Sequence, residues 1–565
     1  MSISLFNGAW LFGLCKKLLV GQLGKLGIMR TSSIQRIQQN QQAGYWREQT
    51  LHGLLLANAA RTPQTIALKD PPNTPQLIGV PPMQLAWKEL ANASQHLAKQ
   101  LSQKGLRKDD VLMVQLPNTV HLAVCYYAAS LLGAIISPLA MQYGRHELQL
   151  VAQTTKAKAL VTLASFNGEE RKPHYDGLLS TSQTWLMNQD LVLDAAACEW
   201  LVDEQDPHQI LSLCWTSGTT GTPKAVPRSH AMWVAIAKAT MAAGGMQAED
   251  KLLNPFPLIN MAAVGGFLYP AALLACGLYL HHPLDPAVFL GQMQSEAISF
   301  SIVPPPLLNQ LANAPEMWHQ FDFSALRAVG SGSAPLADWM IETFDADYKV
   351  PVINFYGSNE GICLFATPTT APDAAVRSCM FQLPDTQSGT ETKIADAVNG
   401  QTITEIEVPG ELMIKGPAVF DGYYAHDNSD VFDSEGYFRT GDMVVLCDTQ
   451  PPSYRIVGRC KDIINRGGMK ISPQELDLAL EQHPSCLEAA VCAYPDDKLG
   501  EKVCACLVLK EGSPEPSVED LQTFLTEQGF ATFKLPQKTF VIPQLPRNPL
   551  GKVQRHKLEQ LITTE

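Results

Sequence analysis

Residues 216–224 read Thr216-Ser217-Gly218-Thr219-Thr220-Gly221-Thr222-Pro223-Lys224, directly after the strand-like run 211–215. Two glycines let a backbone turn tightly and present amide hydrogens to an anion. Five hydroxyls add donors and Lys224 adds a positive charge, so the stretch has the chemistry of a phosphate cradle. It is not the common P-loop, which needs Gly-Lys-Ser/Thr opening a helix; Pro223 stands where the second glycine would be. Composition alone also permits an ordinary solvated turn, because Gly and Thr are common turn residues.

Three further positions carry usable groups. Glu360 ends Asn354-Phe355-Tyr356-Gly357-Ser358-Asn359-Glu360, and a carboxylate there could ligate magnesium, since hard cations favour oxygen. Asp442, in Tyr437-Phe438-Arg439-Thr440-Gly441-Asp442, could accept hydrogen bonds from ribose hydroxyls. Lys552 lies in the Pro/Gly-rich stretch Pro546-Arg547-Asn548-Pro549-Leu550-Gly551-Lys552. On their residues alone these are equally a solvated glutamate, an Asx-turn aspartate and a surface lysine.

The elements that must position these groups follow from apolar spacing. Helical periodicity is predicted over 51–60, 87–101 and 122–132, the last ended by Gly133. Short buried strands are predicted at 111–116, 134–139, 159–163, 211–215, 298–303 and 326–329. Strand, helix, strand at this spacing argues for parallel α/β layers. After about residue 410 the pattern changes to short antiparallel strands at 411–415, 444–447 and 454–457. Beyond Gly458 follow a helix over 473–482, strands at 489–493 and 503–509, a helix over 518–528 and a polar tail. The reading is an α/β domain over 45–458, with parallel sheets, helices and a small antiparallel barrel-like part. A small mobile α+β domain over 459–565 follows it.

The nine-residue string 216–224 resembles the signature of the adenylate-forming superfamily, which includes acyl-CoA synthetases, aryl-acid ligases, peptide-synthetase adenylation domains and luciferases. The resemblance runs from about Tyr45 to the carboxyl end, with the motifs in the family's order. It implies activation of a carboxylic acid by attack on the α-phosphate of ATP, then thioester formation with coenzyme A. Loading of a carrier-protein phosphopantetheine is the alternative, because the thiol arm is the same group.

The resemblance also assigns roles. Thr216 to Thr222 and Lys224 would hold ATP phosphates, and Glu360 would hold Mg2+. Gly332, Ser333 and Ala334, in Gly330-Ser331-Gly332-Ser333-Ala334-Pro335-Leu336, would lie on the adenine side, with Asn354, Phe355, Tyr356, Gly357 and Asn359 completing the nucleotide site. Asp442 and Arg459 would hold the ribose, Lys461 would be the interdomain hinge, and Gly467 and Gly468 would flank the pantetheine arm. Lys552 would be the catalytic lysine that bridges the acyl carboxylate and the α-phosphate. Asn260, Met261, Ala262, Val264 and Gly265 would line the acyl pocket, with the glycines leaving room.

The segment 254–280 contains no Asp, Glu, Lys or Arg, so a charged acid side group would be buried without a partner and a hydrophobic acid is expected. Two residues depart from the family pattern: Asn359 stands where Thr is usual, and Asn260 where His is common. They keep open a reading of another class, a nucleotide-binding protein without catalysis.

Composition sets outer bounds. The chain has 565 residues, too many for one hydrophobic core, and a net charge of −13, which disfavours nucleic acid as a partner. Its 13 cysteines form no regular framework and fit reduced, cytoplasmic thiols; Cys504 and Cys506 are predicted on one face of a strand. No stretch reads as a transmembrane segment. Residues 1–44 read as an extension, disordered or amphipathic, with weak membrane-surface contact through 5–26 as one role. The apolar run 267–280 reads as core.

Overall fold

The structure, a computed structural model, describes residues 29–564 apart from 199, 201–205, 217–222, 384–387, 398, 468, 497 and 548–552. These fall into two compact units. The first comprises Met1–Ser378, Leu383–Thr390 and Gly416–Asp430; the second comprises Cys379–Gln382, Glu391–Lys415 and Val431–Glu565.

The first unit holds the α/β layers expected from sequence. One sheet runs, in order, through Lys224–Ser229, Ile210–Thr216, Ile135–Pro138, Val111–Val114, Ala159–Thr162 and Thr184–Leu186. Only its first pair is antiparallel; the remaining neighbours are parallel. Eight further strands run from Cys363–Ala366 through Val352–Gly357, Ala328–Gly332, Phe300–Ile302, Lys251–Asn254, Gly277–Leu280 and Ile66–Lys69 to Gln84–Ala86. The inner pairs are parallel and both outer pairs antiparallel.

These parallel strands are apolar on both faces, as sheets covered by helices must be. The strands Val111–Val114, Ile135–Pro138 and Ala159–Thr162 are buried at every position. The helix Val120–Leu132 is buried on nearly every side, and it stops where Gly133 takes φ +68°. The run 267–280 is core, as its composition indicated, with Phe267, Leu268 and Tyr269 fully buried.

Residues 29–44, read from sequence as part of an extension, are built into this unit. Met29 N–H donates to Asp109 at 2.9 Å, Arg30 pairs with Asp206, and the helix Ile34–Gln42 is capped by Ser33. Residues 5–26 lie outside the described part. Among the described residues no helix is long and apolar enough to cross a membrane.

In the second unit an antiparallel sheet is ordered Thr402–Ile403, Glu391–Ala395, Gly410–Lys415, Phe438–Thr449, Pro452–Arg459 and Met380–Gln382. A second sheet joins Met469–Ile471, Ile464–Arg466, Gly500–Leu509 and Cys486–Asp496, and Lys538–Val541 lies parallel against Gly500–Leu509. Helices Pro473–Leu480, Val518–Glu527 and Arg555–Thr564 accompany it. By contacts the strands between 391 and 459 group with the C-terminal residues, and the boundary expected near 458 falls inside this second unit. The Ser472 hydroxyl donates to the Val457 carbonyl at that junction. The polar tail contains a strand and a helix that the sequence reading left out. Cys504 and Cys506 do share one buried face, with Cys492.

Candidate functional site

The phosphate-loop candidate connects two antiparallel strands of the first unit. Ile210–Thr216 and Lys224–Ser229 pair so that Thr216 and Lys224 are direct partners, and the Thr216 hydroxyl donates to the Lys224 carbonyl at 3.4 Å. Ser217, Gly218, Thr219, Thr220, Gly221 and Thr222 lie outside the described residues; both ends of their loop are fixed by this pairing. The Lys224 ammonium sits 4.6 Å from the centroid of the Tyr423 ring, a cation–π distance. The Tyr423 hydroxyl in turn donates to Glu360 Oε1 at 2.9 Å. Lys224 and Glu360, 136 residues apart in sequence, thus meet through one phenol. Glu360 is 9% exposed, so its carboxylate is held in place and not dispersed in solvent.

Tyr423 has no counterpart among the residues singled out from sequence. It lies on the segment Gly416–Asp430, which several buried donors hold down. Arg228, fully buried, donates to the Ala418 carbonyl at 2.7 Å and lies over the Trp233 ring. Burial lowers its pKa to about 10, which still leaves it charged at neutral pH. Arg36 pairs with Asp421 and donates to the carbonyls of Gly416 at 2.9 Å and Val419 at 2.6 Å. Trp46 adds an indole N–H to the Pro417 carbonyl at 3.1 Å. On the opposite side Gly361, at φ +109°, meets the Ala418 carbonyl so closely that a Cβ would lie 2.1 Å from its oxygen. Only glycine fits there.

The residues expected around the base occupy adjacent parallel strands. Gly332 is the register partner of Phe355, and an added Cβ would lie 2.1 Å from the Phe355 carbonyl oxygen. Ser333 follows in a left-handed conformation, φ +71°, and is exposed together with Ala334. Strain of this kind in a non-glycine residue persists where the surroundings fix it, often beside a ligand. Phe355 and Tyr356 are half-buried, and Gly357 is exposed. Asn354 is buried and uses its amide on the carbonyls of Arg377 and Ser378, at 3.0 and 2.8 Å. That side chain fixes the strand end and is already engaged.

The acyl segment divides in two. Asn260 caps the short helix Met261–Ala263 by accepting from Ala263 N–H at 3.1 Å. Asn260, Met261 and Ala262 are half-buried. Val264 and Gly265, expected in the same lining, are packed in the core instead. The room expected at Gly265 is occupied by the helix His230–Gly244: an added Cβ would lie 2.4 Å from Ile236 Cγ2 and 3.3 Å from the Trp233 ring. What remains partly open beside Met261 is a set that sequence reasoning missed. Ala235, Ala239, Ala243 and Phe355 pack with Met261 on a buried base of Ile236, Cys363, Phe365 and Ala418. The three alanines recur every fourth residue along one face of that helix.

In the second unit Asp442 and Arg459 are cross-strand partners, with Arg459 Nε 2.8 Å from Asp442 Oδ1. Asp442 is buried, and its N–H donates to the Thr440 hydroxyl at 3.1 Å. Gly441 N–H donates to Glu411, which also pairs with Arg439. This fixes a carboxylate and a guanidinium side by side. Lys461 is exposed, and Gly467, at φ +58°, donates its N–H to the Leu499 carbonyl at 2.7 Å. Gly468 and Lys552 lie outside the described residues. The flanks of the Lys552 stretch, Arg547 and Val553, face each other in an antiparallel bridge.

For magnesium, the phosphate side of the first unit offers the buried carboxylate of Glu360, and the described residues hold no group of three or more metal-ligating side chains. That suits Mg2+, which takes one or two carboxylates and completes its shell with substrate phosphates and water.

Comparison with known proteins bears on these arrangements together. The AMP-binding enzyme family matches residues 55–424, and the AMP-binding enzyme C-terminal domain matches 475–552. The chain is 29% identical to the vibriobactin-specific 2,3-dihydroxybenzoate-AMP ligase of Vibrio cholerae, over 93% of this chain and 96% of that one. It is 27% identical to the salicyl-AMP ligase / salicyl-S-ArCP synthetase of Mycobacterium tuberculosis, over 91% of each. It is also 27% identical to the peroxisomal OPC-8:0-CoA ligase 1 of Arabidopsis thaliana, over 85% of this chain and 89% of that one. In fold it is similar to ATP-bound MatB from Rhodopseudomonas palustris, with a TM-score of 0.79 at 22% identity, over 91% and 99% of the two chains.

Proposed function

This chain belongs to the AMP-binding enzymes, and on that footing we propose that it activates a hydrophobic carboxylic acid as its acyl-adenylate and passes the acyl group to coenzyme A. A carboxylate oxygen of the acid attacks the α-phosphorus of ATP, the α–β bridge breaks, and pyrophosphate leaves. A thiolate then attacks the acyl carbon and AMP leaves. Both steps build negative charge on bridging oxygens, which fixed cations and donors stabilise.

The observation that carries this reading is the run from Lys224 through Tyr423 to the buried Glu360, at the end of a Thr/Gly-rich loop. In this reading Lys224 and the loop donors hold phosphate oxygens. Glu360 would hold Mg2+, which supplies charge neutralisation on the polyphosphate. Asp442 and Arg459 hold the ribose. Lys552 bridges the acid carboxylate and the α-phosphate, carried on residues 459–565 that pivot at Lys461. The acid lies beside Met261 and Ala262, whose neutral surroundings suit an apolar chain or ring.

A second acceptor, the phosphopantetheine thiol of a carrier protein, is favoured by the likeness to a salicyl-S-ArCP synthetase. Pyrophosphate release is measured with ATP, Mg2+ and a panel of aromatic and aliphatic acids, followed by acyl transfer to free coenzyme A or to a phosphopantetheinylated carrier. Lys552→Ala is expected to lower adenylation by about a hundredfold or more, the scale for losing a group that stabilises transition-state charge. Adenylation undiminished in that variant would sink the mechanism, and transfer to the carrier alone would replace the acceptor.

A further inference from the structure

Asn359, one of the two departures from the family pattern, occupies a junction in the first unit. Its Oδ1 accepts from Met261 N–H at 2.8 Å, and its Nδ2 donates to the Trp215 carbonyl at 3.3 Å. Reversing the amide would set donor against donor and acceptor against acceptor, so these two partners fix its orientation. Met261 opens the helix that faces the proposed acid site. Trp215 is the penultimate residue of the strand Ile210–Thr216, which enters the phosphate loop. One carboxamide therefore ties the acid side to the phosphate side, and the next residue along the chain is Glu360.

The neighbourhood makes this tie stiff. The Trp215 indole donates to the Ser137 hydroxyl at 2.9 Å, which anchors the strand end in its sheet. The Met261 side chain lies over Gly357, where an added Cβ would come within 2.2 Å of Met261 Cε. Met261 is thus held twice by the stretch 357–359, at its backbone by Asn359 and at its side chain by the bare face of Gly357. A threonine hydroxyl can also donate and accept, but from one oxygen on a shorter stem, whereas the carboxamide meets Met261 and Trp215 with two separate atoms.

We propose that Asn359 is a positioning residue whose carboxamide couples the acid-binding helix to the strand end at Trp215, so that nucleotide bound beside that strand end holds Met261 more firmly. The proposal rests on the adenylation reading, because it takes the loop after Trp215 to hold ATP phosphates. Phosphate held beside the strand end at Trp215 holds that carbonyl more tightly still. Asn359 then loses freedom, and the Met261 N–H bond opens less often. By linkage, an acid that orders Met261 tightens nucleotide in return.

The test needs no knowledge of the acid. The full chain is titrated with Mg2+ and α,β-methylene-ATP, whose α–β bridge cannot be cleaved. Hydrogen exchange is then followed on overlapping peptides spanning residues 259–264. At saturating analogue, exchange of the Met261 amide in the wild type is expected to slow about tenfold, within the usual range of site-to-site coupling. Asn359→Asp keeps an acceptor for Met261 but faces the Trp215 carbonyl with a carboxylate, and Asn359→Leu keeps neither bond. Both are expected to bind the analogue, more weakly, and to show no slowing at saturation. Slowing that persists in both variants, or is missing in the wild type despite binding, would overturn the coupling alone. Failure of both variants to bind would make Asn359 a direct nucleotide ligand and overturn its positioning role. Failure of the wild type to bind would overturn the adenylation reading and this inference with it.

Discussion

At the scale of single residues, the proposed site separates groups expected to touch substrate from groups that hold them. Glu360 is buried and accepts one hydrogen bond from Tyr423, whose ring also faces Lys224. If Glu360 carries Mg2+, Glu360→Gln removes a charge that the cation needs. Its pyrophosphate release should fall by a hundredfold or more, with the Mg2+ dependence moved to higher concentration. Tyr423→Phe keeps the ring beside Lys224 and loses only the hydroxyl, so a fall of about tenfold is expected, the lower end for an outer partner of a metal ligand. Magnesium titrations of both variants check this. Equal losses, or a Glu360→Gln enzyme with unchanged Mg2+ dependence, would remove Glu360 from the metal. Lys224 and Glu360 stood out in the sequence through the motifs that carry the resemblance, since residue type alone does not separate them from a turn lysine and a solvated glutamate. Tyr423 did not, because its value lies in two partners distant along the chain. Asp442 and Arg459 were named together on the resemblance, and the structure pairs them across neighbouring antiparallel strands.

At the scale of elements, apolar periodicity located helices such as Leu51–Arg61, Trp87–Gln103 and Val120–Leu132 with the strands between them, passed over others such as His230–Gly244, and failed where apolar residues are sparse or small. The helix Arg555–Thr564 was read as polar tail because among its residues only Leu558 and Ile562 are buried hydrophobics. The alanine face at 235, 239 and 243 was passed over because small apolar residues look the same in a core and in a pocket lining. Gly265 shows the converse error: its missing side chain was read as space for a ligand, and a neighbouring helix fills that space. Gly265→Ala should therefore act first on stability. Its methyl would press on Ile236 and cost about 1–3 kcal/mol, the usual price of overpacking. In the double variant with Ile236→Ala the two costs should sum to less than their separate values, because the truncation makes room for the methyl. Denaturant unfolding of the four proteins measures the coupling. Strict additivity would mean that the two residues do not compete for the same volume.

For the first unit taken whole, burial of neutral histidines makes folding sensitive to acid. His52, His121 and His282 are all buried, and desolvation brings each pKa down to about 4. In the unfolded chain a histidine titrates near 6.5. Between pH 6.5 and about 4 the unfolded state therefore binds more protons, and stability falls as pH falls through that window. By pH 5 each histidine should have removed about 2 kcal/mol relative to pH 8. Asp70 works in the opposite direction. Burial raises its pKa to about 6 despite hydrogen bonds from Val120 and Met83, so the folded state holds its proton longer and gains stability as pH drops. That single gain, about 1.4 kcal/mol by pH 5, is smaller than the three losses. Every tryptophan among the described residues precedes residue 340, in the first unit, so their fluorescence follows that unit and not the second. Its thermal midpoint should drop steadily from pH 7 to pH 5. His121→Gln should flatten the slope, since the glutamine amide can still meet Asn188, which now bonds His121 Nε2 at 3.0 Å. A midpoint independent of pH across that window, or a His121→Gln slope as steep as the wild type, would mean that these imidazoles charge in place without opening the fold.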